Sequence, residues 1–171
     1  MENKYNISPE QEAELIANRD KTIYVRTFEK DGVSYPIPGL LDTTRLIAVD
    51  RDTVGANDIS FGFSEFAPKK AMHGKHRHTD CEEIMYVLSG RGVGGCEDVD
   101  CIYLPGDVIF VPRGAEHYLY NPFDEPLRIL FLYTKPSLKD AGYSVKELGD
   151  KELGDEIEKK QHDGTNAFDQ A

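Results

Sequence analysis

The chain has 171 residues, of which 39% are apolar and 30% charged, and its formal net charge is −11. That length is one domain's worth and the apolar fraction can fill one core, while the acidic balance argues against nucleic acid and against an anionic membrane surface, both of which need a basic face. No apolar run approaches a membrane span, Met1 to Asn18 lacks the pattern of a secretory signal, and three cysteines are too few for a secreted disulfide framework, so a cytoplasmic protein is expected.

Ser8 as N-cap, Pro9 at the first helical position and Gln11 three residues after the cap, ahead of Ala13, Leu15, Ile16 and Ala17, predict a short helix from Pro9 to Asn18. Beyond it, Thr22 to Phe28 and Arg45 to Val49 read as strands on either side of a stretch, Tyr35 to Gly39, that is too rich in breakers for regular structure. From Ile59 to Tyr133 the pattern becomes short β-branched and aromatic runs: 59–66, 75–78, 83–88, 91–96, 101–104, 108–111, 117–120 and 127–133. That rhythm indicates an antiparallel sandwich or barrel. In the first run Ile59, Phe61 and Phe63 alternate with Ser60, Gly62 and Ser64, the pattern of a half-buried strand.

Three regions follow: an N-terminal extension of helix and strands over 1–58 that packs on the barrel, the barrel itself over 59–133, and a polar, partly helical tail over 134–171. In the tail Lys146 to Asp150 is repeated at once as Lys151 to Asp155, too short a repeat for a solenoid. It reads either as an exposed, weakly helical segment or as a lid or arm anchored by Tyr143, Leu148, Leu153 and Ile157.

His76 and His78 stand two residues apart, on one face of a strand. Glu83 follows after a short turn, and His117 lies on a later strand that can fold back across the sandwich. Three imidazoles and a carboxylate suit one borderline divalent ion: zinc, manganese, iron, nickel or cobalt. Calcium would want more oxygens.

These positions resemble the two motifs of the cupin superfamily. His76, His78, Glu83 and Gly90 fit the first motif, and Gly106, Pro112, Gly114, His117 and Asn121 fit the second. At about 5% background usage for each residue type, nine matches in register are no accident. The resemblance covers 59–133 and implies an all-β double-stranded β-helix with the metal on His76, His78, Glu83 and His117; its spacing selects Glu83 over Glu82. One departure is Lys70, which stands where the first motif often opens with Gly. Gly90, Gly106 and Gly114 fall where tight reversals need positive φ. His73 and His162, outside the motifs, read as ordinary hydrogen-bonded or surface histidines, and Cys81 as a bystander. A two-residue turn at Asp98 and Val99 would set Cys96 opposite Cys101.

The resemblance leaves the reaction open among isomerases, lyases, decarboxylases, dioxygenases and non-catalytic binding proteins. Strand parity from the ligands turns Met85, Val87, Leu119 and Asn121 inward and Tyr118 and Tyr120 outward. Tyr103 and Tyr133 lie on strands of unfixed parity, and Tyr24, Tyr35 and Arg45 come from the extension that could cover the barrel mouth. Lys69, Lys70, Lys75, Arg77 and Arg113 cluster around the ligands in an otherwise acidic chain. If Lys75, Arg77 and Arg113 reach the mouth, the small-molecule ligand is a carboxylate or sugar acid. A homodimer is expected, because Leu40, Leu41, Leu46 and Ile47 need apolar cover.

Overall fold

The computed structural model describes residues 7–34, 36–145 and the backbone of 151–152. Tyr35, Leu148, Leu153, Ile157 and His162 lie outside the described residues. Helix α1 (Pro9–Asn18) forms as expected, with a reciprocal cap: Gln11 N–H donates to Ser8 Oγ at 3.3 Å and Ser8 N–H to Gln11 Oε1 at 2.8 Å. It buries no residue, so the caps rather than packing define it.

The strand expected over Thr22 to Phe28 does not form. The chain bends there and turns into a short helix, α2 (Phe28–Asp31). Thr27 Oγ1 accepts from Lys30 N–H, and Thr27 N–H donates to the Asp31 carboxylate at 2.8 Å. These local bonds satisfy the backbone where a strand would have needed a neighbour.

Two antiparallel sheets make the body of the protein. The first runs β2 (Thr43–Val49), β3 (Ser60–Phe66), β10 (Leu127–Tyr133), β5 (Glu83–Ser89) and β8 (Val108–Val111). The second runs β12 (Lys151–Glu152), β11 (Tyr143–Val145), β4 (Met72–His78), β9 (His117–Tyr120), β6 (Gly92–Cys96) and β7 (Val99–Tyr103), and β1 (Leu40–Leu41) also pairs with β4. The arrangement is the expected double-stranded β-helix. Phe66, Val87, Val111, Leu119, Leu127 and Ile129 fill the space between the sheets. Gly90 takes φ 75° at the β5–β6 reversal, and a Cβ there would lie 2.1 Å from the Pro126 carbonyl oxygen, so both conformation and space require glycine.

Strand β3 is half-buried as its alternation predicts, and the face it buries is the small one. Ser60, Gly62 and Ser64 point between the sheets, and Phe61 and Phe63 point outward beneath Phe28 of α2, with ring centroids 5.8 and 5.7 Å away. The small residues leave room for Phe131, whose ring lies 2.1 Å from where a Cβ on Gly62 would be. Segment 134–145 is no exposed tail: Leu138, Ala141, Tyr143 and Val145 are buried, and β11 pairs with β4. The Cys96–Cys101 pairing is also corrected, since the turn falls at Glu97 and Asp98. Cys96 opposes Val99 and Cys101 opposes Gly94. A left-handed Glu97 (φ 53°) sets this tighter register, and both thiols are free.

Candidate metal centre

Strand β4 brings in His76 and His78, β9 brings His117 directly opposite His76, and β5 brings Glu83 from the facing sheet. All four are buried, and one donor atom from each lies within 4.8 Å of the others. The hydrogen bonds fix the tautomers of two rings. His76 Nδ1–H donates to Gly74 O at 2.8 Å and His117 Nδ1–H to Ala115 O at 3.1 Å, which turns each Nε2 lone pair into the cluster.

That geometry asks for a cation. His117 Nε2 faces Glu83 Oε2 at 2.9 Å, two acceptors that need a positive partner between them. His78 Nε2 lies 3.5 Å from the same oxygen, and neither ring nitrogen of this buried side chain has a hydrogen-bond partner among the described residues. An orphaned buried nitrogen is costly unless something unseen satisfies it. Electrostatics agrees. Burial holds the His76 imidazole well below its ordinary value, helped by His117 and His73, and burial lowers His78 too. Burial pushes the Glu83 carboxyl up, but the His117 and His78 imidazoles against Oε2 outweigh it and hold the group well below the usual range. Neutral imidazoles and an ionised carboxylate are the ligating forms. The four residues could therefore hold one metal ion.

The cluster opens into a cavity between the sheets with about 20 Å³ open to the centre of a water molecule. Met85 and Tyr133 border it, as do Phe66, Ile129 and Phe131. The inward turn of Met85, Val87, Leu119 and Asn121 is as expected, and Asn121 serves the scaffold: its Nδ2 donates to Phe66 O at 3.1 Å and Glu125 O at 2.7 Å. Tyr103 is buried beneath Gly94, where burial lifts its hydroxyl to about 12, and it does not border the cavity. Lys75 and Arg77 alternate with the ligands and so face the opposite side of β4, within 3.8 and 4.0 Å of Glu116. Arg113 is exposed, and none of these three cations borders the cavity. Cys81 is buried outside the cluster, its thiol pushed up to about 12 by burial.

Two cavity residues had no clear sequence signal. His73 should face away from His76 by parity, but the β4–β9 register shifts between them, and the two rings stack at 3.7 Å. Its Nε2 meets the Tyr143 hydroxyl at 2.9 Å, and that hydroxyl donates to Pro38 O at 2.5 Å. Arg45, considered only as part of a cover over the mouth, is buried with its guanidinium 4.2 Å above the Phe131 ring.

The family model of the cupin domain matches residues 62–133, the span that supplies all four cluster residues. Residues 62–133 are a cupin domain. An acireductone dioxygenase of Bacillus thuringiensis is 24% identical over 119 residues, which is 67% of this chain and 59% of that protein. The chain thus spans about three fifths of the length of that curated relative. Among solved structures, a recombinant oxalate oxidase in complex with glycolate superposes with a TM-score of 0.60 at 17% identity, over 74% of this chain and 65% of that one. A Lactobacillus farciminis oxalate decarboxylase formate complex gives 0.54 at 26% identity, over 64% of this chain and 32% of that one. These likenesses extend the cupin fold beyond 62–133 into the flanking strands.

Proposed function

We propose that the protein is a metal-dependent enzyme acting on a small, oxygen-rich, anionic metabolite by isomerisation, elimination or decarboxylation. One divalent ion of zinc, manganese, iron, nickel or cobalt would sit on His76, His78, Glu83 and His117. The observation that carries the reading is His78, a buried imidazole that lacks a hydrogen-bond partner among the described residues and is turned to the carboxylate of Glu83. A bound ion of this kind supplies Lewis-acid polarisation of a substrate oxygen. The chain's own part is to hold the ligand lone pairs in place through Gly74 O and Ala115 O, and to keep water from the site with Phe66, Met85, Ile129 and Phe131. Glycolate and formate in the structural neighbours support a small carboxylate as ligand.

A second reading, a dioxygenase, is favoured by the name of the curated relative. Metal analysis of untagged protein, followed by a screen of carboxylates and sugar acids under air and under nitrogen, separates the two. Turnover under nitrogen supports the first reading and turnover only under air the second. Binding without turnover in either atmosphere would make the protein a non-catalytic binding module. The reading includes a cytoplasmic homodimer; among the described residues no helix is long and apolar enough to cross a membrane.

A further inference from the structure

We propose that two copies of this chain exchange N-terminal arms, the arm of one copy, Ile7 to Val25, lying on the β5 and β8 side of the first sheet of the other. The inference deepens the homodimer of the function proposed above by naming the two surfaces that meet.

A helix of ten residues is marginal in water without packing, however good its caps, yet every residue from Ile7 to Lys21 is exposed. The arm also carries too much apolar surface to stand in solvent. Ile7, Leu15, Ile16, Ile23, Tyr24 and Val25 are each at least 42% exposed, and Tyr24 is 90% exposed. Its root, by contrast, is fixed. Lys30 of α2 pairs with Asp20, Arg26 Nη2 donates to Asp31 O at 3.1 Å, and Phe28 packs over Phe61 and Phe63. The arm therefore springs from the outer face of the first sheet, above β3.

The other flank of that face is bare. In the sheet order β2, β3, β10, β5, β8, helix α2 covers the β3 phenylalanines, while Ile84, Tyr86 and Leu88 of β5 and Val108 and Phe110 of β8 are each at least 41% exposed. A face raised over one flank and bare over the other is complementary to itself about a two-fold axis, because each raised flank covers the bare flank of the second copy. Area favours the exchange. At about 200 Å² for a large side chain, the five sheet residues expose roughly 500 Å² and the six arm residues roughly 700 Å². A stable interface buries about 800 Å² per partner, so the sheet patch alone falls short and the patch with the arm suffices.

The test uses the full chain in sedimentation velocity at micromolar concentration, where wild type should be a dimer. Ile16→Glu on the arm and Phe110→Lys on the sheet should each weaken self-association about 10-fold or more, since each damages the contact on both sides of the two-fold axis. Mixed together, the two variants should dimerise again at concentrations where each alone is a monomer. The intact arm of the Phe110→Lys chain then meets the intact sheet of the Ile16→Glu chain, and the second contact brings together introduced charges of opposite sign. Tyr24→Asp and Val108→Lys form a second pair with the same expectation, and serve if circular dichroism shows that a member of the first pair does not fold. If arms met arms and sheets met sheets, every contact in the mixture would carry one damaged side and no dimer would return. A mixture that stays monomeric, or a wild-type dimer that either substitution leaves unchanged, overturns the arm exchange and leaves the homodimer standing. A wild-type monomer overturns both.

Discussion

Alanine at His76 or His117 leaves three donors around a space shaped for four, and bound metal in untagged protein should fall to a small fraction of the wild-type content. Near-stoichiometric metal in the double variant would refute the ligand set. The same side chains set an acid limit on the metal-free protein. Burial lowers His73, His76 and His78 below the ordinary imidazole value of 6.5. Below that value the unfolded chain takes up protons that the folded chain refuses, so stability is full above it and declines as the pH falls through it. Glu83, whose folded value is also depressed, loses its contribution further into acid. Urea midpoints of the metal-free protein measured well above and well below pH 6.5 should differ in that direction, and equal midpoints would show that the histidines are not buried as neutral rings.

Strand β11 closes the β4 edge of the second sheet with three buried residues, and the Tyr143 hydroxyl ties it to Pro38 and His73. Tyr143→Phe keeps the ring and removes those bonds, and should cost about 1–2 kcal/mol in chemical denaturation; an unchanged midpoint would mean that the hydroxyl is incidental. This strand was among the least legible parts of the sequence. Tyr143, Ser144 and Val145 are too few to form a pattern, and the acidic residues after them dominate the composition. By contrast the strands at 108–111, 117–120 and 127–133 were bounded correctly, because glycine and proline punctuate them and the ligand spacing locks their register. The four cluster residues were legible for the same reason, each being tied to a fixed distance from the others. His73 and Arg45 were not. The first reaches the cavity through a register shift that parity reasoning cannot foresee, and the second through a β3 face whose small residues make room for it.

On the outside of the first sheet Ile84 pairs with Phe110 and Tyr86 with Val108, all four at least 41% exposed. An apolar patch of this kind marks an interaction surface. It adds to the earlier basis for a homodimer, of which Ile47 is spent in its own core at 2% exposed while Leu41 stays 56% exposed. Light scattering should report a dimer that Phe110→Lys disrupts; a wild-type monomer at micromolar concentration would overturn it. Across the sandwich, three of the four cluster residues hang from one sheet and Glu83 from the other. A shared ion would therefore act as a rivet between layers that are otherwise joined by side-chain packing, by their connecting loops and by bonds such as that from Asn121 to Phe66 O. Prying the layers apart would mean breaking coordination first, so the lifetime of the folded chain would follow the rate at which the ion escapes rather than the depth of the energy well. Two preparations of equal equilibrium stability, one loaded and one stripped, would then age at very different speeds.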